Sequence, residues 1–70
     1  MNVLVFRTNI NTGRRVHRAA CRLCTLRGIC RWSVDLEDRD CVLRIETETL
    51  TEADVLRVLH RAGLKCTVLS

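Results

Sequence analysis

Asn9-Ile10-Asn11-Thr12-Gly13-Arg14-Arg15-Val16-His17-Arg18-Ala19-Ala20-Cys21-Arg22-Leu23-Cys24-Thr25-Leu26 is the stretch from which the rest of the chain is read. It reads as a loop running into a helix. Val16, Ala19, Leu23 and Leu26 recur at intervals of three and four, the period of one buried helical face. Thr12 or Asn11 can cap its start, because a side-chain oxygen there satisfies an otherwise unpaired backbone N–H. Gly28 is expected to stop it, glycine being the residue that takes a left-handed conformation after a last turn. Arg14, Arg18 and Arg22 step by four on the opposite side, with Arg15 beside them. His17, Cys21 and Cys24 form a third stripe between the arginines and the core edge.

The remainder of the chain supplies the sheet. Asn2 to Thr8 is rich in β-branched and aromatic residues and reads as a strand. After Gly28, Cys30, Trp32, Val34 and Leu36 alternate with Arg31, Ser33 and Asp35, the period of a half-buried strand. Residues 37–40 are a polar turn. Cys41, Leu43 and Ile45 then alternate with Val42, Arg44 and Glu46, so an antiparallel hairpin is the natural pairing. Thr51-Glu52-Ala53-Asp54 has the form of a capping box with Asp in the Glu position. Val55, Val58, Leu59 and Ala62 give a second helix its apolar stripe, Gly63 ends it, and Leu64 to Leu69 reads as a fourth strand. The order β-α-β-β-α-β with right-handed crossovers predicts a ferredoxin-like α+β sandwich. It consists of a four-stranded antiparallel sheet, order 4-1-3-2, with both helices on one face. Trp32, Val34, Leu43 and Ile45 should lie beneath Val16, Leu23, Val55 and Leu59. The open face should carry Val3, Val5, Arg31, Ser33, Val42 and Arg44.

Seventy residues allow one domain, residues 1–70, with one small core, and a hydrophobic content of 47% is enough to fold it. No apolar run approaches the length of a membrane span and no secretory n-region and h-region pattern opens the chain. The five cysteines, an odd number, fit reduced thiols and a cytoplasmic setting better than a disulfide framework. The net charge of +4 is unevenly spread. Residues 1–34 hold seven arginines and no acid, while all eight acids fall between Asp35 and Asp54. A basic pole and an acidic patch follow.

The pattern Val16-x-x-Ala19-x-x-x-Leu23-x-x-Leu26-x-Gly28-Ile29, with Trp32-x-Val34-Asp35-Leu36 and Leu59-x-x-Ala62-Gly63-Leu64, resembles the heavy-metal-associated domain of small copper chaperones and metal-ATPase amino-terminal modules. The resemblance covers nearly the whole chain. It implies the ferredoxin-like fold and a working loop of the form Gly-Met-x-Cys-x-x-Cys just before the first helix. Counting back from Val16 sets Ile10 at the methionine, Thr12 at the first cysteine and Arg15 at the second. Placing Phe6 inward makes the loop one residue longer. In either register the loop holds no cysteine, and threonine and arginine cannot replace the thiolates that select Cu(I).

Three binding readings remain. The loop–helix junction, with Asn9, Asn11, Thr12, Gly13, Arg14 and Arg15, continued by Arg18 and Arg22, can meet an acidic protein surface or a small anion. Free N–H groups, the helix dipole and guanidinium groups converge there. Alternatively, Cys21 and Cys24 with His17 one turn earlier can hold Cu(I) or Zn(II). Cys21 lies too far inside the helix for thioredoxin-like redox chemistry, which needs a thiol at a helix N-terminus. Third is weak nucleic-acid binding by the basic helix, against which stands the want of stacking aromatics on the open sheet face. No Ser-His-Asp set and no Gly-rich phosphate loop supports an enzyme. The leading expectation is a non-enzymatic interaction module that uses the basic loop and helix.

Overall fold

In a computed structural model describing residues 1–69, β1 (Asn2–Thr8), α1 (Gly13–Leu23), β2 (Ile29–Val34), β3 (Leu43–Thr47), α2 (Glu52–Arg61) and β4 (Cys66–Val68) follow in that order. The strands form one sheet, β2-β3-β1-β4, which is the expected 4-1-3-2 order counted from the other edge. Every neighbouring pair is antiparallel. β1 sits near the middle, with Phe6 opposite Leu43 on one side and Val68 on the other. Strand alternation turns Leu4 and Phe6 inward and leaves Val3 and Arg7 exposed.

α1 and α2 pack against each other and close one face of the sheet. Ala19 and Leu23 of α1, Val55 and Leu59 of α2, and Phe6, Leu43 and Ile45 of the sheet form one buried cluster, completed by Ile10, Leu64 and Cys66. Val16 and Leu26 flank it, half-buried. The capping box of α2 is present in both directions: the Asp54 N–H donates to Thr51 Oγ1 at 3.3 Å and the Thr51 N–H donates to Asp54 Oδ2 at 2.9 Å. The Thr51 backbone bond, then its hydroxyl, then Arg57 hold the Asp54 carboxyl below its ordinary range.

Four expectations need correction. α1 ends at Leu23 with Cys24 as its cap, and the Arg22 carbonyl is taken up by both the N–H and the hydroxyl of Thr25. Gly28 is therefore no helix cap. Its φ of 101° instead opens β2, where Thr47 Oγ1 donates to its carbonyl at 2.6 Å and a Cβ would run into Thr49 Oγ1. Second, a bulge between Ile29 and Arg31 turns Cys30 out, so Ile29, Trp32 and Val34 face inward. Because β2 is an edge strand, Trp32 and Val34 are only half-buried, and Leu36 lies beyond the strand, 50% exposed. Third, β3 begins at Leu43 rather than at Cys41. Cys41 is buried in a turn with a φ of 45°, its carbonyl accepting from Thr8 Oγ1 at 2.6 Å. Fourth, β4 is confined to Cys66–Val68.

The contrast between two glycines is testable. Gly28→Ala meets both a left-handed backbone and a collision, so it should cost at least about 1–2 kcal/mol in urea unfolding. Gly13→Ala, at a helix start with open space around the new Cβ, should be close to neutral by the same measurement.

Candidate loop and helix site

The loop is fixed before the helix begins. Thr8 Oγ1 donates to the Cys41 carbonyl and accepts from the Ile10 N–H at 3.1 Å. Ile10, in the methionine position of the resemblance, is fully buried and anchors the loop in the core. Asn9 exchanges two bonds with Lys65: its N–H donates to the Lys65 carbonyl at 3.2 Å, and its Oδ1 accepts from the Lys65 N–H at 2.9 Å. The Asn9 side chain is thus committed to holding the loop against the start of β4. It faces a small groove of about 210 Å³, lined also by Arg7, Thr8, Cys66 and Thr67.

Thr12, not Asn11, is the cap. Its Oγ1 accepts from the Arg15 N–H at 3.2 Å. Arg15 then folds back over the loop, where Nη1 donates to Asn11 Oδ1 at 2.7 Å and to the Asn9 carbonyl at 3.3 Å. Asn11, Thr12, Arg14, Arg15 and Arg18 surround an open depression of about 520 Å³. Arg22 is a full turn beyond and lines neither hollow, and Gly13 is exposed at the first helical position.

The electrostatics of this end are one-sided. The first turn of α1 contains no acid, so nothing offsets the positive end of its dipole. Among the described residues the ion pairs are Arg7 with Asp40 at 3.4 Å and Arg31 with Glu46 at 3.8 Å. Arg14, Arg15, Arg18 and Arg22 have no carboxylate partner in that set. Asp35 and Asp38 cap their own turn, accepting from the Glu37 N–H and the Asp40 N–H.

The soft-ligand stripe is only partly assembled. Cys21 Sγ lies 3.6 Å from His17 Nε2, and both residues are exposed. Cys24 is exposed as well, but among the described residues no three His, Cys, Asp or Glu side chains gather as a metal shell would. His60, exposed as expected, reaches the Cys66 carbonyl at 3.0 Å. The open sheet face carries Val3, Val5, Arg31, Ser33 and Arg44, while Phe6 is buried and Trp32 pairs with inward-facing Ile45. No aromatic platform for bases stands on it among the described residues. No described helix is long and apolar enough to cross a membrane.

Lys65 belongs to the surroundings of the site, although no motif in the sequence includes it. Its partner Asn9 lies 56 residues away, and no local pattern announces that bond.

All five cysteines are free thiols. Burial pushes the Cys66 thiol up to about 12. Cys66 therefore favours the neutral folded state at and below the ordinary thiol range, and that contribution is lost as pH rises towards 12. Alkylation of the native protein at neutral pH should modify Cys21, Cys24 and Cys30 and spare Cys41 and Cys66. Peptide mass spectrometry reads this directly. Rapid modification of Cys66 before unfolding would contradict its placement.

No protein-family model matches the chain, and no curated protein matches it either. Solved structures do. The yeast copper transporter domain Ccc2a superposes with a TM-score of 0.84 at 11% identity, covering 100% of this chain and 97% of its own. A copper-binding domain from the P-type ATPase HMA7 gives 0.83 at 16% identity, covering 100% and 96%. The Cu(I)-loaded first domain of the human copper chaperone for SOD1, CCS, gives 0.78 at 21% identity, covering 94% and 89%. At such identities the likeness is one of fold. The chain has the ferredoxin-like fold of heavy-metal-associated, copper-chaperone-like domains.

Proposed function

We propose that this chain is a non-enzymatic interaction module that presents the basic loop and helix of a copper-chaperone-like fold to an acidic protein surface or a small anion. The observation that carries this reading is what occupies the two positions where the resemblance sets cysteines. Thr12 is the helix cap, and Arg15 is tethered to Asn9 and Asn11. Both build the loop rather than offer soft donors, and the exposed Arg14 and Arg18 beside them have no carboxylate partner among the described residues. Charge of this kind steers encounter and selects partners more than it adds affinity. Five free thiols suit a reducing, cytoplasmic setting.

Titration with poly-glutamate, followed by amide chemical shifts, tests the surface. The amides of residues 11–18 should move, and added salt should reverse the shift. Movement confined to the open sheet face would remove the proposal. The loop itself is tested by gain of function. In a Cys21→Ser background, Thr12→Cys/Arg15→Cys should acquire Cu(I) affinity that the Cys21→Ser protein lacks, read by competition with a chromogenic chelator. No gain would mean that the frame around these two positions is unfit for a metal.

A further inference from the structure

The outer edge of β2 is unpaired. β2 is the first strand in the order β2-β3-β1-β4, and β3 covers its inner edge alone. The Asp35 N–H donates to the Val42 carbonyl at 2.9 Å, in step with Ser33 opposite Arg44 and Arg31 opposite Glu46. In an antiparallel ladder that phase turns the backbone groups of Trp32 and Val34 away from β3. Among the described residues no backbone bond outside the sheet ladder reaches either of them. The opposite edge differs: β4 is three residues long, and His60 Nε2 already meets its Cys66 carbonyl at 3.0 Å. β2 contains neither proline nor lysine, the residues that blunt an exposed edge, and such an edge is a template for another strand.

The side chains along this edge complement themselves. Trp32 and Val34 face the helices yet are only half-buried. On the open face Arg31 and Asp35, both exposed and opposite in charge, stand two residues to either side of Ser33. We propose that β2 pairs, antiparallel about Ser33, with β2 of a second copy of this chain, joining the two four-stranded sheets edge to edge. The two-fold sets Arg31 opposite Asp35 of the partner subunit, and Trp32 opposite Val34 of the partner subunit, where the outward backbone groups meet. Centring the pairing on Trp32 would run it into the bulge between Ile29 and Arg31. Centring it on Val34 would call on Leu36, which lies beyond the strand. The register about Ser33 keeps to regular residues and matches charge with charge. The pairing uses no residue of the basic loop or of α1, so it is independent of the anion surface.

Sedimentation equilibrium of the reduced chain over a range of concentrations reads the association. One strand pair buries little surface, so a weak, concentration-dependent dimer is expected. Arg31→Asp and Asp35→Arg should each weaken it about tenfold, since like charges then face each other twice. The double variant Arg31→Asp/Asp35→Arg should restore it, because the exchanged charges oppose again. Asp35→Arg also gives up the bond from the Glu37 N–H, so circular dichroism checks that each variant is folded. Ser33→Cys in a Cys21→Ser/Cys24→Ser/Cys30→Ser background reads the register. On the two-fold, Ser33 meets its own copy as a non-hydrogen-bonded pair with Cα atoms about 4.5 Å apart, within disulfide range, and should cross-link on mild oxidation. Arg31→Cys in the same background stands about 13 Å along the strand from its own copy and should not. A monomer at every concentration, a double variant no better than the single ones, or Arg31→Cys cross-linking as fast as Ser33→Cys would each overturn the proposal.

Discussion

Phe6→Ala should leave the chain without a stable folded state at room temperature. Phe6 is fully buried near the middle of the sheet, paired with Leu43 and Val68, and its ring belongs to the cluster shared by both helices. Removing a large buried aromatic costs about 3–5 kcal/mol, because the surroundings close only part of the cavity. A domain this small has total stability at the low end of about 5–15 kcal/mol, so little or none remains. Urea unfolding followed by circular dichroism should show a shortened or absent native baseline. Trp32→Ala provides the comparison. The tryptophan is the larger residue, yet it is half-buried on the edge strand β2, and its loss should be the smaller of the two. The reverse ranking would mean that the core is centred on the β2 edge rather than on β1.

That ranking marks where sequence reading is strong and where it stops. The periods of Val16, Ala19 and Leu23 and of Val55 and Leu59 identify both helices and their inner faces, and Ala19, Leu23, Val55 and Leu59 are indeed buried. The topology then follows from the order of the elements. Strand alternation places Trp32 inward and the expected strand order already sets β2 at an edge, but the alternation does not show how far a side chain facing inward there still meets solvent. Nor can it foresee the bulge that turns Cys30 out, which depends on how β2 registers with β3. Gly28 carries the signal of a special backbone, and it has one; the signal does not say whether the glycine closes a helix or opens a strand. At the candidate site, residue types along α1 suffice to identify the basic stripe and the His17–Cys21 adjacency. The commitments of Asn9 to Lys65 and of Arg15 to Asn9 and Asn11 come from the fold, which alone brings the loop against β4.

Arg14→Glu/Arg15→Glu should cut binding of an acidic surface by about two orders of magnitude while the protein stays folded. Neither arginine is in an ion pair among the described residues, so reversal breaks none. Two unit charges at contact in water interact by about 1 kcal/mol, and reversal trades attraction for repulsion, about 2 kcal/mol for each site. Physiological salt screens part of this, which leaves roughly a hundredfold. The new acids also stand in the first turn of α1, where they favour the helix dipole and so support the fold. Arg15 has a second task, since its guanidinium ties Asn11 and the Asn9 carbonyl. Arg15→Gln separates the two effects: it removes the charge and the fork but adds no repulsion, and it should weaken binding far less than the reversal does. Arg14→Glu/Arg18→Glu leaves the tether intact and should lose binding as severely as Arg14→Glu/Arg15→Glu. Isothermal titration against poly-glutamate at two salt concentrations measures all three, and the wild-type salt dependence should flatten in both reversal variants. If Arg14→Glu/Arg18→Glu binds as wild type does while Arg15→Gln loses binding, then the shape of the loop, and not its charge, is what a partner reads.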